Sequence, residues 1–378
     1  MQKIRRAVPA LRDLRPYDPK YLPARVYLNA NESPYGLPEP VFEEIDGSLH
    51  RQSLHRYPDP LAKSLRTMIA EVLCLHEERV MIGNGGDELI FNLMLAYGGS
   101  DRKLLITPPS FSSYEIDARL TNTDTVKIDR LLNSVGSCTD CSGEKRNNTD
   151  LEYTVDKEAV LRRVSQGDID MVMLASPNNP TGDALGEGFV SALLEASDAV
   201  ILIDQAYVEF ADASFDMKHL IGTYKNLAIL RTFSKAYALA GVRLGYLLAD
   251  EELIAELCKV RQPYSVNSFS AYAGLVAVKN RGSFVPQITE TVNERRRMIK
   301  ALREIPGISV FESEANFVLI RVANAMRIWQ ELYDGKGILL RDFSTSAGLA
   351  GCLRISIGKP EENDELLESL RNIVREDS

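Results

Sequence analysis

Short apolar runs of strand type alternate with helical stretches through the middle of the chain. The runs lie at residues 80–82, 103–107, 125–128, 171–175, 199–204, 227–233 and 244–249. Apolar strands that alternate with helices form a mostly parallel sheet with helices on both faces. The sequence therefore predicts an α/β fold, and such folds place their ligands at the carboxyl ends of the strands.

The C-terminal part of the chain has a different pattern. A long helical region at residues 268–305 is apolar at first and strongly charged later, and we interpret its charged run Glu294–Arg297 as a solvated helix face. Strands are predicted at 308–311, 316–322, 338–341 and 352–357, with a closing helix at 361–375. We expect this second, α+β unit to contribute Arg341 and Arg354 to a site.

Length and charge narrow the classes of function. At 378 residues the chain exceeds one ordinary domain, which favours two domains that share a ligand cleft. A net charge of −9 argues against nucleic acid or an anionic membrane as a partner, so an anionic ligand needs a local basic pocket. No apolar run reaches the roughly 18 residues of a membrane span, and the N-terminus lacks the apolar segment of a signal peptide. We therefore expect a cytoplasmic protein.

The five cysteines are too few and too scattered for a disulfide scaffold, which fits a reducing compartment. Cys138 and Cys141 have the spacing of half a zinc site, but no second pair of ligands follows at that spacing, so we expect no metal. The surrounding residues 133–150 are rich in Ser, Gly, Asn and Thr, and we interpret them as a mobile surface insertion. A redox disulfide between the two cysteines stays open.

The stretch at residues 231–245 reads RTFSKAYALAGVRLG and lies between two predicted strands. Its Lys235 stands beside hydroxyl side chains and ahead of Arg243. A lysine can form a Schiff base with an aldehyde, while hydroxyls and a guanidinium can bind a phosphate of the same molecule. A Ser-Lys pair alone is also common on protein surfaces, so this interpretation depends on what else the chain supplies.

Further motifs follow other predicted strands. The turn GNGGDE at residues 83–88 has free N–H groups that can bind an anion ahead of a helix beginning at Leu89, and Asp87 as a plain helix cap is the alternative. Asp204 ends an apolar run, and a buried carboxylate needs a cationic partner such as a pyridinium nitrogen. The prolines of SPNNPTG at 176–182 exclude both a helix and a strand ladder, so this motif is an irregular loop. Phe111 is an aromatic residue that can cover a flat ring. With Lys235, these groups suit pyridoxal phosphate.

On these motifs the chain resembles the fold-type I pyridoxal-phosphate aminotransferases, and within their class II subfamily it is similar to the histidinol-phosphate aminotransferases. The resemblance extends from LNANE at 28–32 through RYP at 56–58, SPNNPTG, TFSK and AGVRLG to CLRIS at 352–356. It implies a large domain with a mostly parallel seven-stranded sheet and a smaller α+β domain from both termini. The implied boundaries are an arm at 1–27, the small domain at 28–53 and 268–378, and the large, cofactor-binding domain at 54–267.

The resemblance also implies roles for single residues. Lys235 would bond covalently to the cofactor and move a proton between the substrate Cα and cofactor C4′, Asp204 would pair with the ring nitrogen, and Tyr207 would bond the phenolic oxygen. The other cofactor-binding residues it implies are Asn179 at the phenolic oxygen, Phe111 on the ring, Gly86, Asp87, Thr232, Ser234 and Arg243 at the phosphate, and Tyr57 from the neighbouring subunit. The substrate-binding residues it implies are Tyr17, Asn31, Asn179, Tyr264, Arg341 and Arg354.

By the same resemblance the protein is a transferase and a homodimer with shared active sites. It would move an amino group between glutamate and imidazole-acetol phosphate, giving 2-oxoglutarate and histidinol phosphate, in histidine biosynthesis. An aromatic amino-acid aminotransferase is the main alternative, followed by a threonine-phosphate decarboxylase and a non-catalytic protein that binds pyridoxal phosphate. Three features depart from the family: Gln205 replaces the usual Glu, Phe111 stands where many members have Tyr, and residues 133–150 are inserted. None of them removes a catalytic group.

Overall fold

The computed structural model describes residues 22–48, 55–139 and 145–375. The helices in these ranges are α1 (Glu39–Asp46), α2 (Lys63–Leu73), α3 (Gly85–Tyr97), α4 (Ser113–Leu120), α5 (Lys157–Val164), α6 (Glu187–Glu195), α7 (Glu251–Val260), α8 (Ser268–Lys279), α9 (Val285–Arg303), α10 (Ala325–Lys336) and α11 (Pro360–Arg375). None of these described helices is both long and apolar enough to cross a membrane. Residues 1–21 of the predicted arm lie outside the described residues, and so does the Cys138–Cys141 pairing.

The strands in the same ranges are β1 (Val26–Leu28), β2 (Val80–Gly83), β3 (Lys103–Ile106), β4 (Asp124–Lys127), β5 (Leu131–Thr139), β6 (Lys145–Thr154), β7 (Met171–Ala175), β8 (Val200–Asp204), β9 (Leu227–Thr232), β10 (Gly245–Ala249), β11 (Ile308–Val310), β12 (Phe317–Val322), β13 (Ile338–Asp342) and β14 (Cys352–Ser356). Among the described residues, the larger sheet has seven strands in the order β2-β10-β9-β8-β7-β3-β4. Only β10 runs antiparallel to its neighbours in these ranges. The predicted α/β fold with a mostly parallel seven-stranded sheet is confirmed.

Side chains of the larger sheet alternate between two hydrophobic clusters. On one face Val172, Ile203 and Ile229 pack with α2, α5, α6 and α8, and on the other face Met173 and Leu202 pack with α3, α4 and α7. Both faces are buried, which explains why these strands are continuous apolar runs rather than alternating ones.

The smaller sheet joins the two ends of the chain. In the described part its order is β1-β13-β14-β12-β11, and the N-terminal strand β1 pairs in parallel with β13. Arg341 on β13 stands opposite Arg354 on β14 in the antiparallel register. Because opposite residues of paired strands point to the same face, this register brings the two guanidiniums together.

The predicted domain boundaries stay a prediction. Helix α8 contributes Ala273 and Val276 to a cluster of the larger sheet, and α1 contributes Val41 and Ile45 to the same cluster. Both helices lie in segments that the sequence assigned to the smaller domain. The packing therefore supports a proposed boundary after α8 rather than at residue 268.

The region at 268–305 is not one continuous helix. Helix α8 ends at Lys279, a single 3-10 turn spans Arg281–Phe284, and α9 begins with a proline in its first turn, where no amide donor is needed. The predicted solvated face at Glu294–Arg297 is wrong for two of its residues. Arg295 is 3% exposed and donates to the carbonyls of Phe210 and Ala315, while Glu294 is buried.

The predicted mobile insertion is, where its backbone is described, an antiparallel hairpin of β5 and β6. Its second strand reaches the smaller sheet, because Leu151 forms a bridge with Phe311. Asp150 accepts from Arg303 Nε at 3.0 Å at the same junction. The hairpin, which follows strand β4 of the larger sheet, is therefore attached to the outer edge of the smaller sheet beside β11.

Candidate active site

A cavity of about 410 Å³ lies between the two sheets, at the carboxyl ends of β7, β8 and β9. The predicted site residues that line it are Asn31, Gly86, Asp87, Phe111, Asn179, Asp204, Tyr207, Thr232, Ser234, Lys235, Arg243, Arg341 and Arg354. Tyr57 and Tyr264 stack on each other with ring centroids 4.7 Å apart, outside that lining. Tyr17 lies outside the described residues. The structure thus brings most of the predicted residues together, and their roles stay predictions.

Lys235 lies in the irregular loop that follows β9 and points into the cavity. Its Nζ donates to the carbonyl of Ala30 at 2.8 Å and stands 5.9 Å from the ring centroid of Tyr207. Burial lowers the pKa of Lys235 to about 8, and the positive charge of Arg354 adds to the effect. About a tenth of this amine is therefore neutral at pH 7, far more than for an ordinary lysine, and the neutral form is the one that acts as a nucleophile or a proton acceptor.

Asp204 ends β8 and is buried beneath the cavity. Its Oδ2 accepts from the hydroxyl of Tyr114 at 2.8 Å, and its Oδ1 accepts from the backbone N–H of Ala206 at 3.0 Å. Burial raises the pKa of Asp204 to about 6, although both hydrogen bonds act in the opposite direction. Sequence reasoning missed Tyr114, which lies in the first turn of α4, three residues after Phe111.

Strand pairing assembles the end of the cavity opposite the smaller sheet. Gly245 on β10 stands opposite Thr232 on β9 and also opposite Gly83 on β2, so the turn after β2 lies beside the end of β9. The backbone N–H of Ser234 donates to Thr232 Oγ1 at 3.1 Å, and both hydroxyls line the cavity. Two hydroxyls thus stand next to the turn that was predicted to bind an anion.

That turn differs from the prediction in one respect. Helix α3 begins at Gly85 rather than at Leu89, so Gly86 and Asp87 belong to its first turn, where amide hydrogens lack partners within the helix. A Cβ at Gly85 would come within 2.7 Å of Arg243 Nη2, so only glycine allows the guanidinium to lie over the helix start. Arg243 donates to Asp87 Oδ2 at 3.0 Å. Helix amides, hydroxyls and a guanidinium at one place suit the binding of a phosphate.

The smaller sheet supplies the opposite wall. Arg354 is 5% exposed and donates through Nη1 to Asn179 Oδ1 and through Nη2 to the carbonyl of Asn29 at 2.7 Å. Arg341 lines the same part of the cavity. Phe343 stands beside both arginines. Sequence reasoning missed it, because it lies one residue beyond the end of β13 and outside the predicted strand 338–341.

Asn31 connects the cavity lining to the smaller sheet. Its Nδ2 donates to the hydroxyl of Tyr207 at 3.0 Å, and its backbone N–H donates to Ser356 Oγ at 2.8 Å. Asn31 is almost fully buried and has a φ of 55°, a conformation that asparagine tolerates better than most residues. In this structure Asn31 therefore orients Tyr207, in addition to lining the cavity.

The two residue departures lie in different surroundings. Gln205 is fully buried outside the cavity lining, where Nε2 donates to the carbonyl of Phe215 at 2.7 Å and Oε1 accepts from Arg231 at 3.0 Å. Phe111 lines the cavity and packs edge-on against Tyr114, with centroids 5.6 Å apart. The glutamine therefore belongs to a structural network, while the phenylalanine retains a ring at the cavity wall.

Comparison with known proteins identifies the family. The model of the aminotransferase class I and II family matches residues 24–370. The chain belongs to the class I and II aminotransferases. Its relatives include Histidinol-phosphate aminotransferase 1 of Carboxydothermus hydrogenoformans, which is 39% identical over 375 residues that cover 99% of this chain and 100% of that protein. The expected family, enzyme class and cofactor class are thereby confirmed.

Solved structures confirm the fold of this aminotransferase. The crystal structure of the histidinol-phosphate aminotransferase from Clostridium acetobutylicum has a TM-score of 0.80 and 26% identity, and the match covers 93% of this chain and 99% of that one. The enzyme of the same name from Sinorhizobium meliloti, in complex with pyridoxal-5′-phosphate, has a TM-score of 0.84 and 22% identity. The match covers 100% of this chain and 99% of that one. The second likeness supports the fold alone.

The cavity of this aminotransferase fits pyridoxal phosphate. Both oxygens of the buried Asp204 accept from neutral donors, a tyrosine hydroxyl and a backbone amide, so a protonated ring nitrogen would supply the missing positive charge. At the α3 end, helix amides, Thr232 and Arg243 suit the cofactor phosphate. Lys235 lines the same cavity and suits the aldehyde.

The pH dependence of cofactor uptake tests the amine. Only the neutral form of Lys235 attacks an aldehyde, and burial brings its pKa down to about 8. We therefore expect the rate of covalent pyridoxal-phosphate uptake by the cofactor-free protein to rise with pH and to level off above that pKa, as measured by stopped-flow absorbance. Arg354→Gln should move the midpoint upward, because a nearby positive charge is removed. A wild-type midpoint near the ordinary lysine value of about 10.4 would contradict this account.

Proposed function

We propose that this aminotransferase moves an amino group between histidinol phosphate and 2-oxoglutarate, giving imidazole-acetol phosphate and glutamate, as a step of histidine biosynthesis. The observation that carries the proposal is the pair Arg341 and Arg354, which face each other in register at the cavity wall supplied by the smaller sheet. Two guanidiniums suit a phosphate dianion, and one of them also suits a carboxylate. The names of the related proteins support the same substrate pair.

The protein's own side chains suit each chemical task of transamination. Bound pyridoxal phosphate supplies an electron sink for the bonds at the substrate Cα. Lys235, with its lowered pKa, takes the proton from Cα and returns it to cofactor C4′. Asp204 in its ionised form would keep the ring nitrogen of the bound cofactor protonated. Tyr207, whose hydroxyl is oriented by Asn31, would donate to the phenolic oxygen.

The two substrates share the arginine wall in turn. Arg354 is fixed by Asn179 and the carbonyl of Asn29, so its remaining donors keep a constant direction. A carboxylate of glutamate or the phosphate of histidinol phosphate can accept from it in successive half-reactions. A fixed donor set positions either substrate with its Cα towards Lys235 without a side-chain rearrangement.

We also propose that the protein is a cytoplasmic homodimer with shared active sites. Tyr57 is 82% exposed and does not line the cavity of its own chain, which supports a role at the cavity of a neighbouring subunit. Tyr264, on which Tyr57 stacks, is 44% exposed and would be covered with it. Sedimentation of the wild type and of Tyr57→Ala tests the assembly, and complementation between Tyr57→Ala and a Lys235 variant tests the sharing.

The decisive experiment follows the absorbance of the pyridoxal-phosphate form after adding one equivalent of amino donor. We expect histidinol phosphate to convert the cofactor to its amine form at least about 30-fold faster than phenylalanine, because phenylalanine offers the arginine pair a single carboxylate rather than a doubly charged phosphate. Faster conversion by phenylalanine would assign the enzyme to aromatic amino acids. Release of carbon dioxide from threonine phosphate would assign it to the decarboxylases.

A further inference from the structure

Phe343 stands next to both cavity arginines. Its ring centroid lies 5.7 Å from Cζ of Arg341 and 5.5 Å from Cζ of Arg354, and the residue lines the cavity. A guanidinium is attracted to the face of an aromatic ring at such distances. One ring therefore attracts two cations that belong to neighbouring strands.

This placement offsets the repulsion between the two cations. Arg341 and Arg354 face each other across β13 and β14, and like charges in that position repel. The electron-rich face of Phe343 favours a geometry in which both guanidiniums stay at one place. Two guanidiniums held together can bind one anion with two negative charges, whereas a singly charged anion gains little from the second of them.

Strand β6 of the hairpin contacts the segment 343–349, which begins with Phe343. Phe343 packs against a small cluster to which β6 contributes Leu151 and Tyr153 and the segment itself contributes Leu349. The hydroxyl of Tyr153 donates to the carbonyl of Gly348 and accepts from Arg321 at 3.2 Å. At its other end the segment is fixed by the backbone N–H of Phe343, which donates to the carbonyl of Cys352 at 3.0 Å.

The ring of Tyr153 is itself held in a rigid position. It stacks on Phe311 of the smaller sheet with centroids 5.3 Å apart and an interplanar angle of 8°. Burial raises the pKa of the Tyr153 hydroxyl, so it stays protonated and remains a hydrogen-bond donor at neutral pH. Strand β6 is thereby linked, through the Tyr153 hydroxyl, to the chain segment that begins with the cavity residue Phe343.

We propose that Phe343 is a specificity-determining residue that makes the arginine pair selective for doubly charged anions, and that Tyr153 is the positioning residue that holds it there. The inference rests on the proposed function and deepens it, because it names the part of the cavity that distinguishes a phosphate from a single carboxylate. It also gives strand β6, through Tyr153, a role in substrate selection.

The test uses the pyridoxal-phosphate-loaded enzyme and its half-reaction with glutamate, inhibited by inorganic phosphate or by acetate at constant ionic strength and mildly alkaline pH. Phe343→Leu retains an apolar side chain but removes the ring. We expect it to weaken inhibition by phosphate about tenfold and inhibition by acetate about threefold or less. Equal weakening of both anions would overturn the proposal, and so would a wild-type enzyme that phosphate does not inhibit.

Tyr153→Phe removes only the hydroxyl and keeps the stacked ring. We expect it to weaken phosphate inhibition about threefold to tenfold, with unchanged cofactor absorbance and a melting temperature lowered by only a few degrees as checks on folding. Tyr333→Phe is the matched control, because that hydroxyl donates to the carbonyl of Pro23 at 3.1 Å, outside the cavity lining. Phosphate should inhibit the double variant Phe343→Leu/Tyr153→Phe as well as it inhibits Phe343→Leu, because both substitutions act through the ring of Phe343.

Additive effects in the double variant, or a Tyr153→Phe enzyme that behaves like Tyr333→Phe, would refute the positioning role of Tyr153. The outcome does not depend on the identity of the natural substrate. If histidinol phosphate fails to react with the wild type, the proposed function fails, yet inhibition of the glutamate half-reaction by phosphate still measures the selectivity of the arginine pair.

Discussion

Lys235→Ala should lose transamination by at least about a thousand-fold, because one side chain supplies both the covalent bond to the cofactor and the proton transfer at Cα. The fold should survive the change. Within the described part of the chain the Nζ atom donates one hydrogen bond, to the carbonyl of Ala30, and it lies in a cavity rather than in a packed core. Loss of activity in this variant therefore reports chemistry rather than unfolding.

The measurement combines turnover with chemical trapping. Borohydride reduction should fix pyridoxal phosphate to the wild type at Lys235, whereas the variant should bind the cofactor without a link that reduction can fix. Lys225→Ala is the matched control, because Lys225 lies at the surface and pairs only weakly with Glu252 at 3.0 Å. A Lys235→Ala enzyme that turns over within tenfold of the control would remove this lysine from the mechanism.

The sheet could be predicted because its signal is local. Strand β7 has the predicted bounds, Met171–Ala175, since burial on both faces requires a continuous apolar run that any short window of sequence displays. The start of α3 could not be predicted in the same way. A Gly-Gly pair is typical of a turn, and here its first glycine opens the helix with a φ of 80° beside Arg243.

Burial of charge depends on partners that are distant in sequence. Arg295 reads as part of a solvated basic run, yet its guanidinium is buried because the carbonyls of Phe210 and Ala315 accept from it. Those carbonyls belong to a loop of the larger sheet and to a turn before β12. No pattern around residue 295 contains that information, so the interpretation from the local sequence was wrong.

The residues of the candidate site also divide into those that the local sequence identifies and those that depend on distant contacts. Motifs that carry their chemistry in one short segment, such as the loop around Lys235 or the end of β8 at Asp204, could be placed from the sequence. Tyr114 and Phe343 could not, because each acts through a residue on another element, Asp204 in one case and two arginines in the other. Tertiary contacts, not residue type, give these two aromatic residues their importance.

Asp204→Asn should lower transamination about 100-fold to 1,000-fold while leaving the fold intact. The amide has nearly the same shape as the carboxylate. Its Oδ1 can still accept from the N–H of Ala206, and its Nδ2 can donate to the hydroxyl oxygen of Tyr114. It carries no charge to offset a protonated ring nitrogen, and breaking a buried charge pair costs about 3–5 kcal/mol. Turnover and the affinity for pyridoxal phosphate measure the effect, and a variant within tenfold of wild type would contradict the pairing.

The same substitution should stabilise the cofactor-free protein, and this second effect separates function from folding. Burial raises the pKa of Asp204 to about 6, above the ordinary value of an unfolded chain. The folded state then binds its proton more tightly than the unfolded state, so stability falls as pH rises through the interval between the two pKa values. About two pKa units correspond to roughly 3 kcal/mol at neutral pH, an order-of-magnitude figure.

Cofactor-free Asp204→Asn should therefore unfold at a higher temperature than the cofactor-free wild type at neutral pH, and the difference should shrink below about pH 4. Tyr114→Phe is the matched comparison, because it keeps the carboxylate and removes a hydrogen bond that lowers its pKa, so the cofactor-free protein should become less stable at neutral pH. The two variants should change the unfolding temperature in opposite directions only if the ionised carboxylate destabilises the folded protein in the absence of the cofactor. Destabilisation by both would mean that Asp204 serves the fold rather than the cofactor.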